Sequence, residues 1–576
     1  MKSLFARSFA LLAIVIAAAA PALAAPPPGA FMTVDEIRPG MKGIGKTVFQ
    51  GTQIEEFEVE IIGVLEKASA DGDIILAKTS GGPLAESGII RGMSGSPVYI
   101  DGKLIGALAF SWSFSKQPIA GITPIGEMLE VMARADHSPD EVPASSDETA
   151  VGALGASGRV LRDADSERAA SEGALLGDAT SGSLAGVDPG NHLAHIVTPV
   201  SIAGFDQRAL SELVPWLEQH GFAAAPGGGG GNVSDASAAY SLEPGAAVGV
   251  QLVDGDASVT AIGTVTYRDG DRIIAFGHPF FQAGDVDFPM TGAYIHGVLP
   301  SALSSFKLGS PLDPLGTLTQ DRRVGIAGNI GPQPKMMPVS VTVRTPEGEH
   351  KYSYGVVRDK RLTPELLRLT ATNSVMSREA FAEEKTIATH TTFRLTDGRA
   401  VTLENLYSGF GAAASALDEL AVPAELLIKN RFERVGLESV DMTVDLEAGR
   451  RTAHLEAVVV SKNPVRPGET ITAFAHVKEF QGTRRVVPIE IKIPAGTPNG
   501  DLTLKVCDAG SLDASDLKRA PLMNEFRDLD TFLEALADRR RNDHVYAQLE
   551  APDVGVSIDG REMPSIPRSV FSVIDS

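Results

Sequence analysis

Residues 91–113 read RGMSGSPVYIDGKLIGALAFSWS, and their pattern decides how the rest of the chain is understood. Gly92-Met93-Ser94-Gly95-Ser96-Pro97 sets a serine in a glycine-rich turn. Two β-type runs follow, Val98–Ile100 and Leu104–Phe110, joined by Asp101-Gly102, a dipeptide suited to a two-residue hairpin turn. Gly92 and Gly95 permit tight backbone conformations that leave the Ser94 hydroxyl presented. The N–H groups of Gly92 and Ser94 would then converge on one point, as an acyl-transfer oxyanion requires. Taken alone, the same hexapeptide is also a plain Gly/Ser turn between two strands.

Working outward, the text before the serine is β-like. Phe57-Glu58-Val59-Glu60-Ile61 alternates apolar and charged residues as a half-buried strand does, and Ile74–Ala77 is a further short strand. After the hairpin, Thr123–Ala133 reads as a closing helix, so residues 31–135 form one β-barrel-like unit. Residues 136–190 are rich in Ala, Ser, Gly, Asp and Glu and carry too little apolar surface to fold alone, which marks a disordered linker. Residues 191–240 form a short helical and connecting segment, with a helix expected over Asp206–His220. Gly227–Gly231 lacks the Gly-Lys-Ser/Thr ending of a phosphate loop and is a connection. Residues 241–350 are a second β-barrel, opening on Pro244-Gly245 much as the first opens on Pro39-Gly40. Residues 351–435 read as helical, Thr363-Pro364 being an N-cap followed by proline. Residues 436–510 alternate again and suit an immunoglobulin-like β-sandwich. Residues 511–576 hold a helix at Asp530–Arg541 and a tail.

Composition excludes several function classes. At 576 residues the chain is long enough for several cores, and 59 glycines with few aromatics favour turns and β structure. A net charge of −22 without a basic patch argues against nucleic-acid binding. The single cysteine, Cys507, rules out a disulfide framework within the chain and cysteine-based zinc sites. Residues 1–24 have the form of a signal peptide: Lys2 and Arg7, an apolar run Phe9–Ala20, then Ala22-Leu23-Ala24. No later apolar run is long enough to span a membrane. The expected location is periplasmic or extracellular.

Serine needs a base. Of eleven histidines, His278 stands out, because Phe276-Gly277-His278-Pro279-Phe280 closes a strand and is hemmed by Gly and Pro. The serine loop resembles that of chymotrypsin-like peptidases, Gly-Asp-Ser-Gly-Gly-Pro, with Met93 and Ser96 substituted. It resembles more closely, through Gly88–Pro97, the loop of the SpoIVB-type peptidase family. Gly263-Thr264-Val265-Thr266-Tyr267 with Ala275–His278 is similar to that family's histidine-bearing strand pair.

The resemblance implies a serine endopeptidase on two chymotrypsin-like half-barrels. Ser94 would be nucleophile, His278 general base, Gly92 and Ser94 the oxyanion donors, and Ser111-Trp112-Ser113 the strand that pairs with substrate. The chain departs from the family in three ways: serine precedes histidine, the family's PDZ module is not recognisable, and Thr79-Ser80-Gly81-Gly82 stands where the family keeps its acid. Chymotrypsin-like enzymes carry the acid about 45 residues after the histidine, which points to Asp321, with Asp285 and Asp287 as competitors. No cofactor or metal is called for, and the expected partner is a protein or peptide substrate. The alternative is a catalytically inactive periplasmic binding or scaffold protein on the same fold.

Overall fold

In the computed structural model of the chain, the described residues are 29–69, 72–112, 115–135, 193–228, 236–238, 240–301, 304–377, 384–497, 499–519, 526–550, 556–558 and 561–563. The signal peptide and linker expectations, at 1–24 and 136–190, lie outside them.

The first unit comprises strands β1 (Lys42–Thr47), β2 (Glu55–Ser69) and β3 (Gly72–Ser80), a helical turn α1 (Leu84–Ser87), then β4 (Pro97–Ile100), β5 (Lys103–Ser111), β6 (Ile119–Pro124) and helix α2 (Ile125–Met132). The alternation read in β2 is realised: Phe57, Val59 and Ile61 are each 2% exposed while the glutamates between them face solvent. Asp101 and Gly102 both take positive φ, +49° and +77°, as a tight hairpin turn with right-handed strand twist requires. The strands pair in the order β4-β1-β2-β3-β6-β5, and β4 also pairs with β5, so the sheet closes into a six-stranded barrel. Strand β7 (Ala194–His195) adds to the outside of β5.

Strand β8 (Thr198–Ala203), helix α3 (Gln207–Gln219) and β9 (Phe222–Pro226) follow. The carboxylate of Asp206 caps α3 by accepting from the Arg208 N–H. Six further strands make the second barrel: β10 (Ala247–Gly255), β11 (Ser258–Asp269), β12 (Arg272–Ala275), β13 (Gly284–Leu299), β14 (Phe306–Arg322) and β15 (Gly325–Ile330). They pair as β10-β13-β14-β15-β12-β11, with β11 returning to β10. In both barrels, then, the neighbours run first, second, third, sixth, fifth, fourth and back to first.

The second barrel's sheet continues beyond β10 through β17 (Gly348–Val356) and β16 (Met337–Thr345). Helix α4 (Thr363–Met376), the hairpin β18 (Lys385–Leu395) and β19 (Ala400–Gly409), helix α5 (Ala412–Ile428) and β20 (Leu437–Ala448) come next. Strand β20 pairs in parallel with β16 and antiparallel with β18. The stretch expected to be helical is therefore two helices with a hairpin between them, because Thr386-Ile387 to Phe393 buries alternate residues against β20 rather than one helical face. Helix α4 starts at Thr363 itself, whose hydroxyl donates to the Val357 carbonyl.

The sandwich expected at 436–510 is smaller than an immunoglobulin domain and partly reassigned. Strand β20 belongs to the large sheet. Strands β21 (Ala453–Val460), β22 (Thr470–Glu479) and β23 (Arg484–Lys492) form a three-stranded layer. Its inner face, Ile471, Ala473 and Ile491, packs against Leu504 of β24 (Thr503–Cys507) and Leu549 of β25 (Tyr546–Glu550), which pair with each other. Between β24 and β25 run α6 (Ala509–Arg519) and α7 (Leu529–Ala537). The last helix ends before Arg539–Arg541. Arg540 reaches Asp513 and Asp516 instead of capping a helix dipole.

The two barrels share their interface. Helix α2 and β5 place Leu104, Ala107, Ile125 and Met128 against Ile274, Val324 and Ala327 of the second barrel, and Arg323 bridges to Glu127 at 3.0 Å. Val48 packs with Ala247, Ile262 and Ile295 on the other side of the junction. The candidate serine and histidine turns meet along this seam.

Candidate active site

The serine turn leads into β4 of the first barrel and is fixed by the second. Gly92 and Gly95 have φ of +95° and +94°, which an L side chain rarely adopts. Gly95 has a second reason to be glycine. A Cβ there would stand 2.0 Å from the Thr264 carbonyl oxygen and 2.5 Å from the Phe276 nitrogen. The serine turn thus presses backbone to backbone against β11 and against the turn that carries His278.

Strand β11 holds the turn by its carbonyls. The Thr264 hydroxyl donates to the Gly92 carbonyl at 3.0 Å, the Thr264 N–H to the Ser94 carbonyl at 2.9 Å, and the Thr266 hydroxyl to the Gly95 carbonyl at 2.8 Å. Within the turn, Met93 N–H donates to Ile90, Gly95 N–H to Leu108 and Ser96 N–H to Met93. No backbone bond takes the N–H of Gly92 or Ser94 among the described residues. The two donors expected for an oxyanion are the two that the turn leaves unused.

His278 follows β12 through Phe276 and Gly277, both at positive φ, +71° and +73°. Left-handed φ at a buried phenylalanine is costly, and the surrounding structure pins it. The Thr123 hydroxyl donates to the Gly277 carbonyl at 2.7 Å across the barrel seam. The His278 ring is buried, and its Nδ1 lies 2.7 Å from the Pro279 carbonyl. A carbonyl can only accept, so Nδ1 carries the proton and Nε2 presents its lone pair. Among the described residues that Nε2 has no hydrogen-bond partner, and neither have the hydroxyls of Ser94 and Ser96, so Ser94 and His278 do not bond each other in this structure. Burial depresses the His278 imidazolium to about 4, against a smaller upward pull from the Pro279 carbonyl, so the ring is a neutral base at pH 7.

Asp321 has other partners than the imidazole. It is 1% exposed, and its two oxygens accept from the N–H groups of Phe280 (2.8 Å), Phe281 (2.7 Å) and Ala283 (2.9 Å). The expectation that it bonds His278 directly is corrected: Nδ1 is satisfied by Pro279, and the carboxylate organises the loop just after the histidine. Burial raises the Asp321 pKa, and the three N–H groups oppose that. Asp285 instead meets Arg322 at 2.8 Å and Gln320 at 2.9 Å.

Of the expected substrate strand, Ser111 ends β5, Trp112 follows it half-buried, and Ser113 lies outside the described residues. The position Ser111 would offer a substrate is taken by Ala194, and Phe110 faces His195.

Four residues of this site went unassigned in the sequence. Thr264 and Thr266 were visible as hydroxyls alternating along an otherwise apolar buried strand. His195 sits stacked on Phe110 with centroids 4.5 Å apart and lies 5.3 Å from the His278 ring. Burial, then the neighbouring His278, lowers its pKa to about 3. Lys307 is fully buried, its stem against Gly92 and its Nζ donating to the Thr47 hydroxyl at 2.8 Å; burial lowers it to about 7. Nothing local in the sequence brings these last two to the serine. Among the described residues, no cluster of His, Cys, Asp and Glu is arranged to hold a metal.

Two barrels of like strand order with a serine turn and a histidine turn meeting at their seam define the architecture of a chymotrypsin-like serine peptidase. Residues 27–129, which include the whole serine-bearing barrel and Ser94, match the family model described as SpoIVB peptidase S55. Over that stretch the chain is similar to the SpoIVB-type serine peptidases, a likeness that supports a serine peptidase function. It stops short of the second barrel. No curated protein and no solved structure matches the chain.

Proposed function

We propose that the protein is an exported serine endopeptidase in which Ser94 and His278, carried by different barrels, act as one reactive pair. The observation that carries this reading is the coincidence of orphans. Among the described residues a buried hydroxyl at Ser94 and a buried lone pair at His278 Nε2 both lack hydrogen-bond partners, each other included, on two turns held in backbone contact. Leaving such groups unsatisfied costs about 1–3 kcal/mol each. Ser94 attacks the scissile carbonyl while His278 Nε2 takes its proton and later passes it to the leaving amine. The N–H groups of Gly92 and Ser94 hold the oxyanion. Pro279 fixes the tautomer, and Asp321 positions the histidine loop without touching the ring.

The Pro279 carbonyl in place of a carboxylate is the feature that favours the second reading, an inactive scaffold on a peptidase fold. A fluorophosphonate probe separates the two. Phosphonylation should map to Ser94, vanish in Ser94→Ala, fall sharply in His278→Ala and persist in Ser96→Ala. Folded protein that takes up no probe even when the outer edge of β5 is opened would establish the scaffold reading.

A further inference from the structure

We propose that residues 194–199 form an internal strap that occupies the substrate-strand position and keeps the peptidase site closed. The inference rests on the peptidase reading and concerns how that site is regulated. In that reading a substrate adds as an antiparallel strand on the outer edge of β5 at Ser111. That edge is already filled. Strand β7 pairs antiparallel with it, Phe110 opposite His195 and Ser111 opposite Ala194, and the Ile196 N–H donates to the Ala109 carbonyl at 2.8 Å. The chain then runs across the reactive centre. The His195 ring covers Phe110 and approaches His278, and the Pro199 ring stands where a Cβ on Gly92 would meet it at 3.2 Å.

The consequence is visible in exposure. Ser94 is 0% and His278 4% exposed, so neither reacting atom meets solvent or substrate in this arrangement. The strap also lacks what a substrate must supply. No carbonyl of residues 194–199 bonds the N–H of Gly92 or Ser94 among the described residues, and at Gly92 it offers a proline ring. It therefore fills the groove without being positioned for attack. Its partners define what displaces it: an extended polypeptide that pairs with β5 and sets apolar side chains against Phe110 and Gly92.

The test pins and releases the strap. Ser111→Cys with Ala194→Cys, in a Cys507→Ser background, joins two residues that face each other across the pairing, a spacing within reach of a disulfide. In the full chain, fluorophosphonate labelling of Ser94 should be at least about tenfold slower oxidised than reduced. Ile196→Pro, which removes the N–H given to Ala109, should label at least about tenfold faster than the unsubstituted chain. Failure of the disulfide to form under oxidant would refute the pairing, and the strap with it. Equal, measurable rates in oxidised and reduced protein would refute the strap and leave the peptidase reading standing. If Ser94 labels in none of these proteins, all folded, the peptidase reading itself fails and takes the strap with it.

Discussion

The serine turn and the histidine turn are held differently. The serine turn draws on both barrels: its Gly95 N–H donates to Leu108 in its own, while Thr264 and Thr266 of β11 bind three of its carbonyls and Gly95 lets it approach Phe276. The histidine turn is held mostly from within its own barrel, by the buried Asp321 carboxylate accepting three N–H groups, with Thr123 donating from across the seam. Damage to the seam should therefore silence the serine side first, and damage inside the second barrel the histidine side.

Gly95→Ala gives the largest expected effect. Its Cβ would overlap the Thr264 oxygen at 2.0 Å with no flexible atom to yield, at a φ that alanine resists. Loss of Ser94 labelling and a fall of several kcal/mol in denaturant stability are expected; labelling at the parental rate would show that the turns do not need this contact.

Asp321→Asn comes next. An amide can accept but not three N–H bonds, and its own NH₂ would face donors, so stability should drop by about 2–3 kcal/mol. Turnover should fall by well under the roughly 10⁴ expected for a triad acid that sets the imidazole tautomer. A loss near 10⁴ with unchanged stability would reinstate Asp321 as the direct partner of His278. Thr264→Val removes one hydroxyl bond at nearly constant shape and should cost about 1 kcal/mol, slowing labelling without changing His278→Ala behaviour.

Proton linkage sharpens the same contrast from both ends of the pH scale. The folded chain holds His278 at about 4 and His195 at about 3, both below the usual 6.5. Between pH 6.5 and about 4 the unfolded chain binds protons that the folded one refuses, so stability is full above 6.5 and falls as the pH drops through that window. For His278 alone the fall is on the order of 3 kcal/mol, and urea midpoints should track it. Lys307, held at about 7 against the usual 10.5, works in the alkaline range: stability should rise from pH 7 to 10.5. Lys307→Met should flatten that rise. A midpoint independent of pH in both windows would mean that these groups are solvated.

Much of this was legible in the sequence where the signal is local. The glycines around Ser94, the Gly-His turn at 278 and the apolar alternation of Phe57–Ile61 each state their local conformation within a few residues. The register of β7 on β5 was not legible, because a two-residue strand carries no period and its partner lies across a long connection. The distance of Asp321 along the chain places it in the histidine's barrel but cannot say which donors its carboxylate will meet. The helical reading of 351–435 missed the β18–β19 hairpin, where Thr386 pairs with Ser408 and Thr392 with Thr402 across the strands. Lys307 is the extreme case: a lysine in a strand reads as solvent-facing, and only the packing of both barrels buries it.

The claim that Ser94 and His278 work as a unit across the seam is tested most directly by a double-mutant cycle on hydrolysis of an unstructured protein such as casein. Groups that act together are non-additive, each single loss costing nearly as much as both. The account predicts that Ser94→Ala, His278→Ala and the double variant all fall to the same residual rate, with each protein folded by circular dichroism. Losses that multiply, or a folded His278→Ala that keeps most of the parental rate, would contradict it.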